Sequence, residues 1–318
     1  MTTHFTARPA TARHFTLGEG PVWDSRRQRV MWVDITAGEI WDGVLTESGI
    51  VTQTTHHFEE MIGAAVPTSD GGILAAGQKR LHAIGPDGTR YASKPIVGSA
   101  LDSRLNDGSC DPSGRFFVGS MSLDDSHGRD SLYVVDPQGR TSLVDSGFSL
   151  SNGIGWAPDG SQMYHIDSVA KTLWRMPYDI ATGNPGERVA VLNAEKLAQI
   201  APENPGTPDG LAVDAEGNLW VAYWGAGQVR CHDSRSGDVL ATVKVPAPHT
   251  TSVAFVGPRQ DQLLITTARE GLSEQQLRDF PDSGRLFLAD VGATPANAGF
   301  TGFLRAPWAG EAAQIGER

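Results

Sequence analysis

The stretch NGIGWAPDGSQMYHID, residues 152–167, contains two short apolar segments separated by the turn sequence APDGS. Pro, Asp and Gly are typical turn residues, and short apolar runs between such turns are typical of β-strands. Five other stretches have the same pattern, and the starts of the six lie 42 to 57 residues apart. The chain is therefore an internal repeat of strand–turn–strand units. The six units begin at Glu19, Ile62, Asn106, Asn152, Asp209 and Thr251.

Each unit continues with a third apolar segment, such as TLWRM (172–176) or QVRCH (228–232), and then with a weaker fourth one. Four strands in about 40–50 residues are the repeat of a propeller blade. The sequence therefore predicts an all-β fold, a six-bladed β-propeller of four-stranded blades. We expect a single domain over residues 1–318, with a C-terminal tail after about residue 305. The best helical patterns are short, at 192–200 and 272–280.

The sixth unit lacks a fourth strand of its own. A β-like segment precedes the first unit at residues 5–16, and we predict that it supplies the missing outer strand. Closing the ring with an N-terminal strand would cover the exposed edges of the blades that meet there.

Charge and composition argue against several classes of partner. The net charge of −11 makes nucleic acid and anionic membrane surfaces unexpected partners. The sequence has no apolar run long enough to span a membrane, and its first residues lack the apolar core of a secretory signal. Cys110 and Cys231 lie in apolar alternation and are interpreted as buried free thiols. We therefore expect a cytoplasmic protein, whose oligomeric state the sequence leaves open.

Polar residues recur where most of the units begin. The first strand of a propeller blade lines the central channel, so the residues before these strands are expected to share one rim. Glu19, Asn106, Asn152 and Asp209 all fall at this position. Carboxylates buried together without a partner cost several kcal/mol, an amount of order 3–5 for an uncompensated charge. A bound cation would remove that cost.

Oxygen is the only ligand atom that Glu19, Asn152 and Asp209 offer. Such ligands favour a hard cation, with Ca²⁺ first and Mg²⁺ or Mn²⁺ as alternatives. Zn²⁺ usually requires His or Cys, although three protein ligands and a water are also a catalytic zinc pattern. The sequence therefore predicts one divalent cation, most simply Ca²⁺.

Turn formation is the alternative explanation for part of this pattern. Asn152–Gly153 and Asp209–Gly210 are ordinary turn dipeptides. Glu19 has no such explanation, because Glu is a poor turn residue. The matched positions in three blades therefore favour a metal site. Trp224 is interpreted as a core residue that could reach the rim. His249 is interpreted as a loop histidine.

The chain contains four motifs that include the polar rim residues: LGEGPVWD (17–24), RLNDGSCDPSGRFFVGSM (104–121), SNGIGW with YHIDS (151–168), and PDGLAVDAEGNLWVA (208–222). Together they resemble the regucalcin/gluconolactonase family of senescence marker protein-like sugar lactonases. The resemblance extends in order from about residue 15 to 290 and includes the polar rim residues. Members of that family are six-bladed propellers that hold one divalent metal in the channel and hydrolyse sugar lactones.

The resemblance implies roles for particular residues. The family's metal ligands match Glu19, Asn152 and Asp209, the three residues that the rim position already indicates as ligands. Its substrate-binding Arg and Asn match Arg104 and Asn106.

A further acidic substrate residue of the family, a Glu, falls by count on Asp124, which has a shorter side chain. Asp125 is the neighbouring candidate. Asp107 is expected to support Arg104 or the backbone. Alternatively, Arg104 forms a surface ion pair with Asp102 or Asp107.

The activity implied is metal-dependent hydrolysis of a sugar aldonolactone to the aldonic acid. The metal would act as a Lewis acid and Asp209 as the general base. The sequence contains no G-x-S-x-G motif that would indicate a serine hydrolase. The expected partner is a small-molecule sugar lactone. The alternatives are a metal-dependent esterase or phosphotriesterase, and a non-catalytic calcium-binding propeller.

Overall fold

Six β-sheets follow one another along the chain, one for each sequence repeat. The structure is a computed structural model, and it describes residues 2–98, 101–124, 126–293 and 299–316. The sheets are the blades of a six-bladed β-propeller, which confirms the fold expected from the repeat. The apolar segments form the strands, and the Asp/Pro/Gly/Ser sequences between them form the turns.

The first half of the chain contains two short N-terminal strands and three blades. The N-terminal strands are β1 (Thr3–Thr6) and β2 (Arg8–Pro9). Blade one contains β3 (Gly18–Asp24), β4 (Arg29–Asp34), β5 (Glu39–Thr46) and β6 (Gly49–His57). Blade two contains β7 (Ala64–Pro67), β8 (Ile73–Ala76), β9 (Leu81–Ile84) and β10 (Arg90–Ala92). Blade three contains β11 (Ser103–Cys110), β12 (Phe116–Ser122), β13 (Asp130–Val135) and β14 (Thr141–Phe148).

The second half contains three more blades and the helices. Blade four contains β15 (Ser151–Trp156), β16 (Gln162–Asp167), β17 (Thr172–Asp179), β18 (Asn184–Pro185) and β19 (Val189–Leu192), and α1 (Ala194–Ile200) follows it. Blade five contains β20 (Thr207–Val213), β21 (Leu219–Trp224), β22 (Gln228–His232) and β23 (Val239–Lys244). Blade six contains β24 (Thr250–Val256), β25 (Gln262–Thr267) and β26 (Phe287–Asp290), with α2 (Glu274–Asp279) before β26. A 3₁₀ helix, Ala312–Ile315, lies near the C-terminus. In the part of the chain that the structure describes, no helix has the length and apolar character to cross a membrane.

The core lies between the blades. Each neighbouring pair of blades encloses its own cluster of buried apolar side chains. The cluster between blades six and one includes Trp32 and Trp41 from one side and Leu264 and Leu288 from the other. Apolar packing therefore continues around the whole ring, which fixes the positions of the inner strands.

An N-terminal strand closes the ring, as expected. Strand β2 pairs antiparallel with β26, with Arg8 opposite Leu288 and Pro9 opposite Phe287. Pro9 fits this outer position because an edge strand does not require all its N–H groups. The sequence did not predict the second contact of this segment, in which β1 adds in parallel to β23 as a fifth strand of blade five.

The innermost strands of five blades are bulged at the rim. In each ladder with the second strand, the innermost strand has one residue more than its partner. Such a bulge changes the direction of a side chain. This corrects the expectation that the polar rim residues precede the strands, because Glu19, Asn106, Asn152 and Asp209 lie inside them. The bulges lie between Glu19 and Val22, Leu105 and Gly108, Asn152 and Ile154, Pro208 and Leu211, and Thr250 and Val253.

Glycines next to the rim residues allow the inner strands to approach closely. A Cβ atom on Gly153 would lie 2.6 Å from the carbonyl oxygen of Asp209 in the next blade. A Cβ atom on Gly63 would lie 2.5 Å from the carbonyl oxygen of Asn106. The channel is therefore narrow at the rim, and the polar side chains of different blades are brought together.

Residues 299–316, which we call the C-terminal strap, cross the face of the propeller opposite the rim. Gly302 donates a backbone hydrogen bond to Gln260 in a turn of blade six, and Trp308 donates one to Pro67 of blade two. The Trp308 side chain is fully buried in the cluster between blades two and three. The strap thus spans the lower mouth of the channel.

Candidate functional site

Glu19, Asn152 and Asp209 meet in the channel at the rim. They lie in the bulges of β3, β15 and β20 and are 7%, 6% and 7% exposed. The Asn152 Nδ2 atom donates a hydrogen bond to Asp209 Oδ1. Burial and the charge of Asp209 raise the pKa of Glu19 well above its ordinary value. The structure thus brings together the three residues that the sequence indicates as metal ligands.

The two carboxylates have little compensation for their charge. The Glu19 Oε2 atom accepts a hydrogen bond of 2.8 Å from the backbone of Gly20. Burial and then the charge of Asp107 raise the pKa of Asp209. The charge of Arg104 lowers the pKa of both carboxyl groups, but by less than burial raises it. This pair of buried carboxylates, which we call the carboxylate pair, is suited to a cation.

The ligand set fits a hard cation in composition. Among the described residues, no three His, Cys, Asp or Glu side chains are grouped so that they could hold a metal. The set consists instead of two carboxylates and an amide. The Asn152 amide now directs Nδ2 to Asp209 and to Ser168 Oγ, 3.2 Å away, while its oxygen accepts from Gly153 N at 3.1 Å. A half-turn of this amide about its terminal bond would present oxygen to the carboxylate pair instead.

Arg104 and Asn106 form a second polar group beside the carboxylate pair. Both are 5% exposed. The Arg104 Nη1 atom donates to Asn106 Oδ1 at 2.7 Å and to the carbonyl of Leu105 at 3.1 Å. Burial lowers the pKa of Arg104 to about 10, and the charges of Glu19 and Asp209 act in the opposite sense, so the guanidinium stays cationic at neutral pH. This burial excludes the alternative of a surface ion pair.

Asn106 and Asn152 are linked through Ser151. The Asn106 Nδ2 atom donates to the carbonyl of Ser151 at 3.0 Å. The Ser151 hydroxyl lies 2.7 Å from His165 Nε2, and burial lowers the pKa of His165 to about 3, so the ring is neutral. The substrate-binding candidate of blade three is therefore held on the strand that carries Asn152. No sequence motif indicates this His165–Ser151 contact.

Asp107 supports the backbone, one of the two roles expected for it. Its Oδ1 atom accepts from Gly108 N at 2.8 Å, inside the bulge of β11. Burial raises the pKa of Asp107 to about 6, and the charge of Arg305 in the C-terminal strap opposes that shift.

The structure does not bring Asp124 to the carboxylate pair. Asp124 is exposed, and its Oδ1 atom accepts from the backbone and hydroxyl of Ser126 at 3.2 and 2.5 Å. It lies at the rim, two residues after β12, but it is directed to its own loop. A count of residues from a motif cannot predict the direction of a side chain on a loop. The neighbouring candidate, Asp125, lies outside the described residues.

An aromatic pair that the sequence left undecided lies beside the site. The Trp224 and His249 rings stack at 3.9 Å between centroids, with an angle of 17° between their planes. Trp224 pairs with Thr207, two residues before Asp209, and is partly exposed. His249 Nδ1 lies 2.8 Å from the carbonyl of Glu270. Burial lowers the pKa of His249, which keeps the ring neutral at pH 7.

Glu270 extends this aromatic wall toward blade one. Its carboxylate accepts a hydrogen bond of 2.6 Å from Thr36 Oγ1. Its charge acts on Arg104 from the opposite side of the channel. No motif indicated Glu270, because it lies on a loop before α2.

Residues 17–269 match the family described as SMP-30/gluconolactonase/LRE-like region. The chain belongs to this family. It is 35% identical to the pentonolactonase XacC of Haloferax volcanii over 87% of this chain and 92% of that protein. It is 34% identical to the regucalcin of Danio rerio over 85% of this chain and 89% of the relative.

The fold is also shared with a solved member of the family. The crystal structure of the calcium-binding protein regucalcin from Agrobacterium tumefaciens superposes with a TM-score of 0.84 and 28% identity. The match covers 97% of this chain and 99% of that chain. The family resemblance seen in the motifs is therefore confirmed.

Proposed function

We propose that the protein hydrolyses a sugar aldonolactone to the aldonic acid. The observation that carries this proposal is the buried carboxylate pair of Glu19 and Asp209, with the Arg104–Asn106 group beside it. The 35% identity to a pentonolactonase supports a lactone as substrate. A lactone carbonyl and its ring hydroxyls match a site made of a cation and hydrogen-bond donors.

Glu19, Asn152 and Asp209 are the residues that would hold one divalent cation. Ca²⁺ is the first candidate because all three offer oxygen, with Mg²⁺, Mn²⁺ or Zn²⁺ as alternatives. The solved relative from A. tumefaciens is described as calcium-binding, which supports this choice. When bound, the cation supplies Lewis-acid polarisation of the lactone carbonyl.

Asp209 is the proposed general base. One of its carboxylate oxygens takes a proton from the attacking water, whose oxygen forms a bond to the lactone carbonyl carbon. The ring C–O bond then breaks, and the proton passes to the ring oxygen, which becomes the new hydroxyl. Without a cation, burial raises the pKa of Asp209. A bound cation would keep the carboxylate ionised, as a general base must be.

Arg104 and Asn106 are proposed to bind and orient the sugar. Arg104 has five N–H donors, and the described contacts use Nη1 for Asn106 and Leu105. Its other donors are suited to the substrate's hydroxyl groups. The Trp224–His249 stack offers a flat apolar wall for the sugar ring.

The proposal is tested by measuring proton release from a panel of five- and six-carbon aldonolactones. The protein is stripped of metal and then given Ca²⁺, Mg²⁺, Mn²⁺ or Zn²⁺ in turn, and spontaneous hydrolysis is subtracted. We expect metal-dependent release with one or a few lactones. Binding of metal without lactonase activity would contradict the proposal. Simple esters and phosphotriesters in the same assay distinguish a lactonase from a metal-dependent esterase or phosphotriesterase.

A further inference from the structure

A small enclosed cavity lies in the channel below the candidate site. Its volume is about 40 Å³. Asp107 lines it, and Arg305 and Ala306 of the C-terminal strap line it as well. The inner strands of all six blades contribute to its wall through Pro21, Val66, Gly108, Ile154, Leu211 and Ser252. The strap therefore reaches the same channel as the carboxylate pair, from the opposite face.

The Arg305 guanidinium contacts two inner strands that carry site residues. Its Nη1 atom donates to Ser109 Oγ at 3.5 Å, in β11, which also carries Asn106. Its Nη2 atom donates to the carbonyl of Leu211 at 3.4 Å, two residues after Asp209 in β20. Arg305 thus holds the lower ends of the two bulges to each other.

Asp107 connects Arg305 to the carboxylate pair by charge. The charge of Arg305 lowers the pKa of Asp107. The charge of Asp107 in turn raises the pKa of Glu19 and of Asp209, so Asp107 is near enough to act on both. The backbone N–H of Ile154, which ends the Asn152 bulge, also stabilises the charged form of Asp107 by lowering its pKa.

We propose that Arg305 is a positioning residue of the site. Arg305 enters the channel from below, holds β11 to β20, and places its charge in the same cavity as the Asp107 carboxylate, and so strengthens the binding of a divalent cation at the rim. This inference rests on the proposed function, because it concerns the same site. Arg305 lies outside residues 17–269, the part of the chain that matches the family.

The two residues should act as one unit. Without Arg305, Asp107 is a buried carboxylate with no opposing charge, and such a group becomes neutral by taking up a proton. Replacing Arg305 should therefore have the same effect on the cation as replacing Asp107 itself. Effects of residues coupled in this way do not add.

The test is calorimetric titration of the stripped full-length protein with Ca²⁺ alone, at pH 7. The variants are Arg305→Met, Arg305→Lys, Asp107→Asn and the Asp107→Asn/Arg305→Met double variant. We expect the Kd for Ca²⁺ to rise about tenfold in Arg305→Met and in Asp107→Asn, the effect of one nearby charge. The double variant should match the single ones, and Arg305→Lys should recover most of the affinity because it keeps the charge.

Arg259→Met is the matched control, since Arg259 forms an ion pair of 2.7 Å with Asp261 and its side chain is 82% exposed. It should bind Ca²⁺ like the wild-type protein. If Arg305→Met and Asp107→Asn bind Ca²⁺ with wild-type affinity, even at a lower melting temperature, then the strap only stabilises the fold. That result would overturn the inference about Arg305 and leave the proposed function intact. Wild-type protein that binds none of Ca²⁺, Mg²⁺, Mn²⁺ and Zn²⁺ in separate titrations would instead overturn the proposed function, and the inference with it.

Discussion

The tripeptide Pro-Asp-Gly occurs at 86–88, 158–160 and 208–210, and the aspartates of the last two differ in almost every respect. Asp159 is exposed in the turn between β15 and β16, where it accepts hydrogen bonds of 2.9 and 2.7 Å from Ser161. These bonds lower its pKa. Asp209 is 7% exposed in the channel, and burial raises its pKa.

The glycines of the two tripeptides also differ. Gly160 has a φ of +72°, a left-handed turn conformation that favours glycine. Gly210 is needed for space instead, since a Cβ atom there would lie 2.1 Å from Ser252 Oγ of blade six. The same tripeptide thus forms a turn after the end of β15 and a buried charged site near the start of β20, the next inner strand. Position in the repeat, and not the tripeptide itself, decides the role.

Replacing each aspartate with asparagine tests most directly whether Asp209 and Asp159 differ in function. Asp209→Asn should lower kcat for the lactone at least about 100-fold, since general-base catalysis contributes about 10²–10⁴. Asp159→Asn should stay within about twofold, because a surface substitution has little effect on a distant site. Initial rates of proton release measure both. A comparable loss in both variants would show that the aspartates do not differ in the way described.

Two arginines of blade three, Arg104 in the channel and Arg140 on the surface, should differ in their effect on substrate binding. Arg104→Ala should raise KM about tenfold or more and change kcat less, because Arg104 is proposed to bind the sugar rather than take part in proton transfer. Arg140→Ala is the control, since Arg140 pairs with Asp136 and its side chain is 76% exposed. Saturation curves on the preferred lactone give both constants. If kcat falls strongly while KM is unchanged, Arg104 does not bind the ground-state substrate.

The smallest expected effect is on stability as a function of pH. The folded pKa values of Glu19 and Asp209 are raised, so the unfolded chain loses these protons first as pH rises. The metal-free protein should therefore lose stability above about pH 4, the ordinary range of carboxyl groups. We expect its melting temperature to fall by a few degrees between pH 5 and pH 8, and Ca²⁺ to reverse this.

Glu19→Gln provides the check on that prediction. It should flatten the pH dependence of the metal-free protein, because it removes one of the two buried charges. Asp159→Asn should not flatten it, since the pKa of Asp159 is lowered and its charge favours the folded state at higher pH. If the melting temperature depends on pH in the same way in the wild-type protein, Glu19→Gln and Asp159→Asn, then the charge of the carboxylate pair does not destabilise the metal-free fold.

Much of the fold could be predicted from the sequence because the repeat determines it. The turn residues and apolar strands recur in each unit, and their phase places Glu19, Asn152 and Asp209 at one rim. The bulges that direct these side chains inward could not be predicted, because they depend on register between strands. The second contact of the N-terminus, β1 on β23, arises from tertiary pairing that no local pattern records.

Residues on loops were the hardest to predict. Asp124 was identified by counting from a motif, and its carboxylate faces Ser126 instead. Glu270 and Arg305 were missed, because their approach to the channel depends on how a loop and the C-terminal strap cross the propeller. The sequence indicates that Trp224 is a strand residue that could reach the rim, but it does not predict the stack with His249, which joins two blades. The candidate site residues that belong to the repeat could be predicted from the sequence, and those outside the repeat could not.

Anomalous diffraction from crystals of the protein soaked in Mn²⁺ would show directly whether the carboxylate pair binds a cation. We predict one strong anomalous peak at the rim, within about 2.6 Å of oxygens from Glu19, Asn152 and Asp209. We also predict that the Asn152 amide has turned its oxygen toward the ion. The same crystals of Asp209→Asn should lack the peak, and those of Asp159→Asn should keep it. A peak elsewhere, or one that persists in Asp209→Asn, would contradict the account.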